Sequence, residues 1–446
     1  MLEKCLDLLT LSEKILNKAK TELKMAKRSN SKREKVWFDE NQFLVHGLAW
    51  VATYVEALKQ LTNWGQNISI QKKLSEFESL TLEVACEEYF WQIFHGIPMS
   101  QTEFIRPQDF GIEPIYISSL LSQVSSTNSK DRNHINQKKK RLVQLALKKE
   151  NAVTFEETGL NQEYQIIRDQ FHRYNNERIR DNAHIWHKED ALIPSDIIKE
   201  LAQMGVFGLT VPESFGGQGL NKLAMCVVSE ELSRGYIGIG SLGTRTEIAS
   251  ELIINEGTED QKKTLLPKIA SGELIPAAVF TEPDSGSDLG SITTTAKKTG
   301  DKYLVTGNKT WITHASRSDL MIILARTNPD PLLKNKGLSI FLSKKTRGDF
   351  RNFFPDENIT GTEIKVLGYR GMKEFEMRLE NFSVHKSGLL GDKEDSGFSQ
   401  LMKTFESARI QTAARSIGVA QNALDLAISY AKNRNQFGQN LIDFQR

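Results

Sequence analysis

Residues 276–327, PAAVFTEPDSGSDLGSITTTAKKTGDKYLVTGNKTWITHASRSDLMIILART, restrict the fold more than any other stretch of the chain. Short apolar and β-branched runs (AAVF, KYLVTG, TWIT, LMIILA) alternate there with clusters of Gly, Asp, Asn and Ser. That is the pattern of short antiparallel strands joined by tight turns, and it predicts a small β-domain. Apolar spacing turns helical on both sides, so the β unit is expected between two helical ones.

Residues 1–125 show 3.6-residue spacing, first at Leu8, Leu11 and Ile15. Over residues 46–64 it places Trp50, Val51, Tyr54, Val55, Leu58 and Leu61 on one broad face, which is expected to be core. His46 and His95 have no ligand-spaced partners and read as packed or surface groups. Residues 125–150, SSTNSKDRNHINQKKKRLVQLALKKE, are polar and basic without interleaved aromatics. They read as a solvated linker or helix face marking a domain boundary, not as a nucleic-acid contact. Beyond residue 161, Tyr164, Ile167, Phe171 and Tyr174 keep helical spacing. Ser195 and Asp196 are candidate N-caps ahead of Ile197, Leu201 and Met204, and Gly205 is expected to close that helix. The loop VPESFGGQGL lacks the full GxGxxG of a dinucleotide site.

A chain of 446 residues with 39% hydrophobic content can build two to four domains. The 58 Lys and Arg against 56 Asp and Glu leave a net charge of +2, so the whole-chain balance favours neither nucleic acid nor a membrane surface. Cys5, Cys86 and Cys226 lie far apart, without CxxC or metal spacing, which suits buried thiols in a reducing compartment. The start lacks the basic-then-apolar order of a secretory signal, and no apolar run is long enough to span a bilayer; a cytoplasmic protein is expected.

Within the β-domain, TEPDSGSDLG offers the hydroxyls of Thr281, Ser285 and Ser287 around Gly286, where backbone N–H groups can approach a ligand. Trp311, Ile312 and Thr313 join a flat apolar surface to a hydroxyl, as a stacked heteroaromatic ring requires. VFTEPDSGSD followed by NKTWIT resembles the flavin-binding signature of the acyl-CoA dehydrogenases. Further stretches agree in order: GVFGLTVPESFGGQGL, GTEDQKKTLLPKIASGE, KVLGYRGMKEFEMRLENFSV and ARIQTAARSIGVAQNALDLAISYAKNRNQFGQNLIDFQ. The resemblance covers residues 161–446. It implies an α+β multidomain fold: a helical domain (161–275), a middle β-barrel (276–392) and a C-terminal helical bundle (393–446). A helical extension (1–125) and a basic linker (126–160) precede them. Within the family, GYRGMKEFEM, FESARIQTAARSIGVAQ and the extension are most similar to the branch acting on methylsuccinyl-CoA.

The resemblance implies FAD as cofactor, an acyl-CoA substrate, electron-transfer flavoprotein as acceptor and a homodimer or homotetramer. Phe280, Thr281, Gly286 and Ser287 would bind the flavin, with Ser287 also near the substrate, and Trp311, Ile312 and Thr313 would flank the ring. Arg434, Gln436 and Phe437 would reach a partner subunit's FAD, and Glu406 and Arg409 would lie beside the acyl chain. Saturated thioesters lose an α-proton to a carboxylate and a β-hydride to the flavin, with hydrogen bonds to the thioester oxygen stabilising the enolate. The family's usual glutamate base is expected beyond Arg446, so the chain reads as C-terminally incomplete. Where other members place it, this chain has Ala408, and Glu406 is a weak substitute on a different helical face. A substrate carboxylate needs a cationic or hydrogen-bonding partner, for which Arg245 and Lys373 are the candidates. Alternatives on the same scaffold are a dehydrogenase for another short or branched acyl-CoA, a flavin monooxygenase or oxidase, and a DNA-associated flavoprotein; the near-neutral charge disfavours the last.

Overall fold

The computed structural model describes residues 1–29, 34–124, 132–148 and 157–444, which divide into two compact units, Met1–Asn161 and Gln162–Arg446. No helix among the described residues is long and apolar enough to cross a membrane.

The first unit is helical: α1 (Leu2–Ser29), α2 (Glu34–Glu40), α3 (Gln42–Ile70), α4 (Glu76–His95), a two-residue ladder of β1 (Ile97–Pro98) with β2 (Phe104–Ile105), α5 (Pro114–Leu121) and α6 (Arg132–Lys148). The expected faces are the buried ones. Leu8, Leu11 and Ile15 of α1 meet Val51, Val55 and Leu58 of α3 in one core, with Trp50, Tyr54 and Leu61 packed partly against it. His46 and His95 are exposed; His46 accepts from Trp50 within its own helix, and His95 bonds the Trp91 carbonyl. Part of the basic stretch expected as a linker is α6, which lies along the acidic α4. Lys138 is buried between Glu83 and Glu87, Lys139 pairs with Glu88, and Arg141 grips Glu76 at 2.7 and 2.8 Å. Its flanks, residues 125–131 and 149–156, lie outside the described residues.

The second unit begins with α7 (Gln162–Tyr174), which passes through a π-helical turn into α8 (Arg180–Lys188). Then come α9 (Ser195–Gln203), α10 (Lys222–Gly235), α11 (Ile237–Glu256) and α12 (Glu259–Ala270). The expected caps of α9 need correction. Pro194 occupies the N-cap position, while Ser195 accepts from Arg317 and Asp196 pairs with Arg178, so both side chains serve tertiary contacts instead of the helix end. Gly205 does follow that helix, at φ 76°, where a side chain would be strained.

Seven strands follow: β3 (Pro276–Val279), β4 (Thr295–Thr299), β5 (Lys302–Thr313), β6 (Leu320–Arg326), β7 (Leu338–Lys344), β8 (Ile359–Ile364) and β9 (Glu374–His385). They form a curled sheet in the order β3-β6-β4-β5-β9-β8, with β7 also on β6. β3 runs parallel to β6, and the β4–β5, β5–β9, β6–β7 and β8–β9 ladders are antiparallel. Tyr303, Val305, Ile323, Phe341, Phe375 and Met377 fill one face of the sheet, whereas Ile322, Leu324 and Ile340 join the helical core formed by α11 and α12. Last come α13 (Gly397–Asn433) and a small hairpin of β10 (Asn435–Gln436) with β11 (Gln439–Asn440). α13 lies tight on α10: a Cβ on Gly418 would stand 2.1 Å from the Glu230 carbonyl, and Arg234 grips Asp425 at 2.5 Å.

Candidate functional site

The loop between β3 and β4 is fixed to β5 by a buried ion pair. Lys309 donates to Glu282 at 3.0 Å and to the carbonyls of Phe280 and Leu324 at 2.9 Å each. Glu282 also accepts from the Thr293 and Thr294 amides and the Thr293 hydroxyl. Burial works against the Glu282 carboxylate, yet Lys309 and these donors outweigh it and hold the group down at about 2. Burial pushes Lys309 down to about 8, so the ammonium remains charged at neutral pH. The Thr310 amide bonds the Thr281 carbonyl at 3.0 Å, completing the joint between TEPDSGSD and NKTWIT. The ligand-facing part of the loop stays open: Gly286 and Ser287 are exposed, and a Cβ on Gly286 would touch only the Thr281 methyl, at 3.9 Å.

An irregularity in the β5–β9 register between Lys309 and Ile312 breaks the in-out alternation. Trp311 takes φ 57° and turns its ring outward, 55% exposed, while Ile312 returns to the core. Thr313 then ends the strand inside a polar group. Its hydroxyl donates to Glu374 at 2.9 Å and accepts from Arg245 Nη2 at 2.9 Å. Arg245 Nη2 also reaches the Tyr369 hydroxyl at 3.5 Å, and Arg415 of α13 donates to that hydroxyl at 3.1 Å and to Ser241 of α11 at 2.7 Å. Ser241 and Tyr369 bond each other as well. Burial raises the Glu374 carboxyl to about 7, against the pull of Thr313 and Arg245. Burial would also raise the Tyr369 phenol, but Arg245 and Arg415 outweigh it and lower it. His314, the next residue of the strand end, is fully enclosed; burial and the surrounding cations, Arg317 first, push it down to about 3, so it is a neutral imidazole.

The other expected site residues lie apart from this group. Lys373 is held by Glu363 at 2.7 Å and Asp190 at 3.4 Å, beside a separate cavity of about 410 Å³ lined by Ile193, Arg317 and Phe350. Glu406 and Arg409 are exposed on α13, whereas Thr404, Ser407 and Gln411 form its buried line. Arg434, Gln436 and Phe437 are exposed in the terminal hairpin, with Phe437 95% exposed at its turn.

Glu247, one turn beyond Thr244 on α11, is a second raised carboxyl. Burial takes it to about 7 although Thr210 donates to it at 2.6 Å. Between the ordinary 4.5 and about 7 the folded chain keeps a proton that the unfolded chain releases, so stability falls as pH rises through this window and levels off above it. The difference corresponds to about 3 kcal/mol. Glu247→Gln keeps an acceptor for Thr210 and should flatten the loss of stability from pH 4.5 to 8 by an amount of that order in denaturant melts. An unchanged slope would place the titration elsewhere.

Three family models match the chain: the acyl-CoA dehydrogenase N-terminal domain at residues 161–273, the middle domain at 277–382 and the C-terminal domain at 395–446. Among curated proteins, (2S)-methylsuccinyl-CoA dehydrogenase of Cereibacter sphaeroides is 51% identical over 450 residues, covering 99% of this chain and 80% of that protein. The chain belongs to the acyl-CoA dehydrogenase family. Among solved structures, the glutaryl-CoA dehydrogenase complex with glutaryl-CoA matches with a TM-score of 0.59 and 32% identity, over 66% of this chain and 71% of that one. A glutaryl-CoA dehydrogenase from Mycobacterium smegmatis in complex with FADH2 matches with a TM-score of 0.57 and 26% identity, over 64% of this chain and 69% of that one.

Acyl-CoA dehydrogenases are flavoproteins and oxidoreductases, and the residues of this chain fit such a cofactor. The exposed Trp311 face, the open Gly286–Ser287 arc and the Thr281 hydroxyl supply a flat surface and a row of polar groups on one stapled scaffold. Sequence reasoning named Arg245 and Thr313 but not their partners Glu374, Tyr369, Ser241 and Arg415. A signal for Arg415 was present: Gln411, Ala414 and Gly418 mark the buried face of α13, and Arg415 falls within that spacing.

Proposed function

We propose that this acyl-CoA dehydrogenase carries out FAD-dependent α,β-dehydrogenation of a short branched dicarboxylic thioester, (2S)-methylsuccinyl-CoA to mesaconyl-CoA, and passes its electrons to electron-transfer flavoprotein. The observation that carries the substrate is Arg245, whose Nε is buried without a partner and whose Nη2 bonds neutral hydroxyls, its only hydrogen-bond partners among the described residues, next to the strand end that presents Trp311. The likeness to a methylsuccinyl-CoA dehydrogenase over 99% of the chain supports the same reading.

FAD, when bound, would supply the acceptor for the hydride leaving C3, and a carboxylate base would take the proton from C2, so the thioester gives up two electrons and two hydrogens. Thr281, Gly286 and Ser287 would hold the cofactor's polar edge, and Trp311 would offer its exposed ring to the flat heteroaromatic system. Thr313 takes its orientation from Arg245 and Glu374: its one proton goes to Glu374 and one lone pair accepts from Arg245, leaving one lone pair for the site. Arg245 receives the substrate carboxylate. Glu406 is exposed and is assigned no step, and Lys373, neutralised by Glu363 and Asp190, is not the clamp. The exposed Ile417, Leu424, Leu426 and Tyr430 of α13 and the outward Phe437 give a homo-oligomer an apolar surface to cover.

Anaerobic titration of the flavin-loaded protein tests the reading. Methylsuccinyl-CoA should bleach the flavin, whereas 2-methylbutyryl-CoA, with methyl in place of carboxylate, should do so at least tenfold less efficiently. Equal bleaching by the two would remove the dicarboxylic assignment. Rapid reoxidation of the reduced protein by oxygen, not by electron-transfer flavoprotein, would favour an oxidase.

A further inference from the structure

We propose that Cys5 and Cys86 form a peroxide-sensitive dithiol site in the first unit, which closes to a disulfide and staples the first turn of α1 to α4. Both thiols are free and buried, at 1% and 0% exposure, and both belong to one core. Far apart in the chain, they are hydrogen-bonded to each other in the fold. The contacts around them fix the same seam. Lys4, just before Cys5, bonds Glu87, just after Cys86, at 2.7 Å. A Cβ on Gly65 of α3 would stand 2.3 Å from the Leu82 side chain and 3.1 Å from that of Leu2, so α1, α3 and α4 meet there without slack. Thr62 of α3, its own proton given to the Leu58 carbonyl at 2.8 Å, bonds Cys86 from the other side. Among the described residues no cluster of His, Cys, Asp and Glu is arranged to hold a metal ion, so a shared metal does not account for the pair.

The hydrogen bond makes the two sulfurs unequal. Burial and the Glu83 carboxylate oppose a thiolate at Cys5, yet the bond from Cys86 outweighs them and lowers it, while the same bond and burial raise Cys86. The thiolate is the nucleophile, so Cys5 attacks first. Its sulfur takes one oxygen of hydrogen peroxide, the O–O bond breaks, and the departing hydroxide gains a proton and leaves as water. Cys86 then attacks the sulfenic sulfur, the S–O bond breaks, and a second water leaves with the Cys86 proton. Two thiols lose two electrons and two protons, and one peroxide becomes two waters. Access needs only a local opening. Cys5 makes the first backbone bond of α1, to the Met1 carbonyl at 3.1 Å, and Met1, Glu3 and Leu6 around it are exposed, so fraying of a single turn uncovers the thiol. A dithiol reductant reverses the closure.

Peroxide treatment of the whole flavin-loaded chain, followed by alkylation in denaturant and peptide mapping by mass spectrometry, tests the site. The peptides of Cys5 and Cys86 should appear joined, dithiothreitol should separate them, and Cys226 should remain alkylated. Closure should raise the melting temperature by about 5 °C or more, because a cross-link between distant positions restricts the unfolded chain. Cys5→Ala should abolish both the link and the shift. In Cys86→Ala, which keeps the attacking thiol and removes the resolving one, dimedone should trap sulfenic acid at Cys5 about tenfold more than it labels Cys86 in Cys5→Ala. Cys5 and Cys86 both alkylated after treatment, over-oxidation of either without a link, or a link from either to Cys226 would overturn the proposal. Those outcomes are read on the unaltered protein and do not depend on either variant folding.

Discussion

Lys309→Met is expected to lower the stability of the second unit by about 3 to 5 kcal/mol, because it leaves the Glu282 carboxylate buried without its cation. The fall in melting temperature should be about 10 °C or more. Lys309 is fully buried, and its three acceptors come from β3's exit, the loop and β6, so a methionine also strands the carbonyls of Phe280 and Leu324. Flavin content should fall with stability, since the lost contacts fix the loop carrying Thr281, Gly286 and Ser287. Adding Glu282→Gln should recover part of the loss, as removing both charges costs less than orphaning one. A melting temperature within about 2 °C of the parent would show that the ion pair does not hold the loop.

Arg245→Met is expected to reduce kcat/KM for methylsuccinyl-CoA about 100-fold or more, the effect of truncating one side of a buried charged hydrogen bond. The corresponding loss for 2-methylbutyryl-CoA should be only a few-fold, reflecting looser positioning of Thr313. Arg245→Lys keeps the charge but not the fork that spans Thr313 and Tyr369, so it should recover only part of the activity. Parallel losses on both substrates would assign Arg245 to the scaffold instead of to the carboxylate.

The order of helical, β and helical segments was legible because hydrophobic period reports local backbone geometry, and the buried faces of α1 and α3 follow it closely. What the sequence concealed depends on partners distant in the chain. The basic run at Lys138, Lys139 and Arg141 reads locally as a solvated linker; the acidic face it covers, Glu76, Glu83, Glu87 and Glu88, lies some fifty to sixty-five residues upstream. Ser195 looks like a cap until Arg317, 122 residues later, takes its hydroxyl. The motif at Trp311 was visible, but its outward turn comes from a register shift against β9 that alternation along β5 alone does not reveal. Lys373 and Arg245 were indistinguishable as charges in sequence. Only the carboxylates around the first and the hydroxyls around the second separate them.

The path from β3 to β4 divides labour between neighbouring residues. Both strands flank β6, so the connection arches over the sheet's end, with Phe280, Glu282 and Leu289 turned inward and Gly286, Ser287 and Asp288 turned out. Burial thus constrains the inner three, while the outer three face solvent, with Asp288 accepting from the neighbouring Ser291 hydroxyl at 2.6 Å. On the reading proposed above, such an arc would act as an exchangeable cassette, its crest open to change while the same three anchors keep the core.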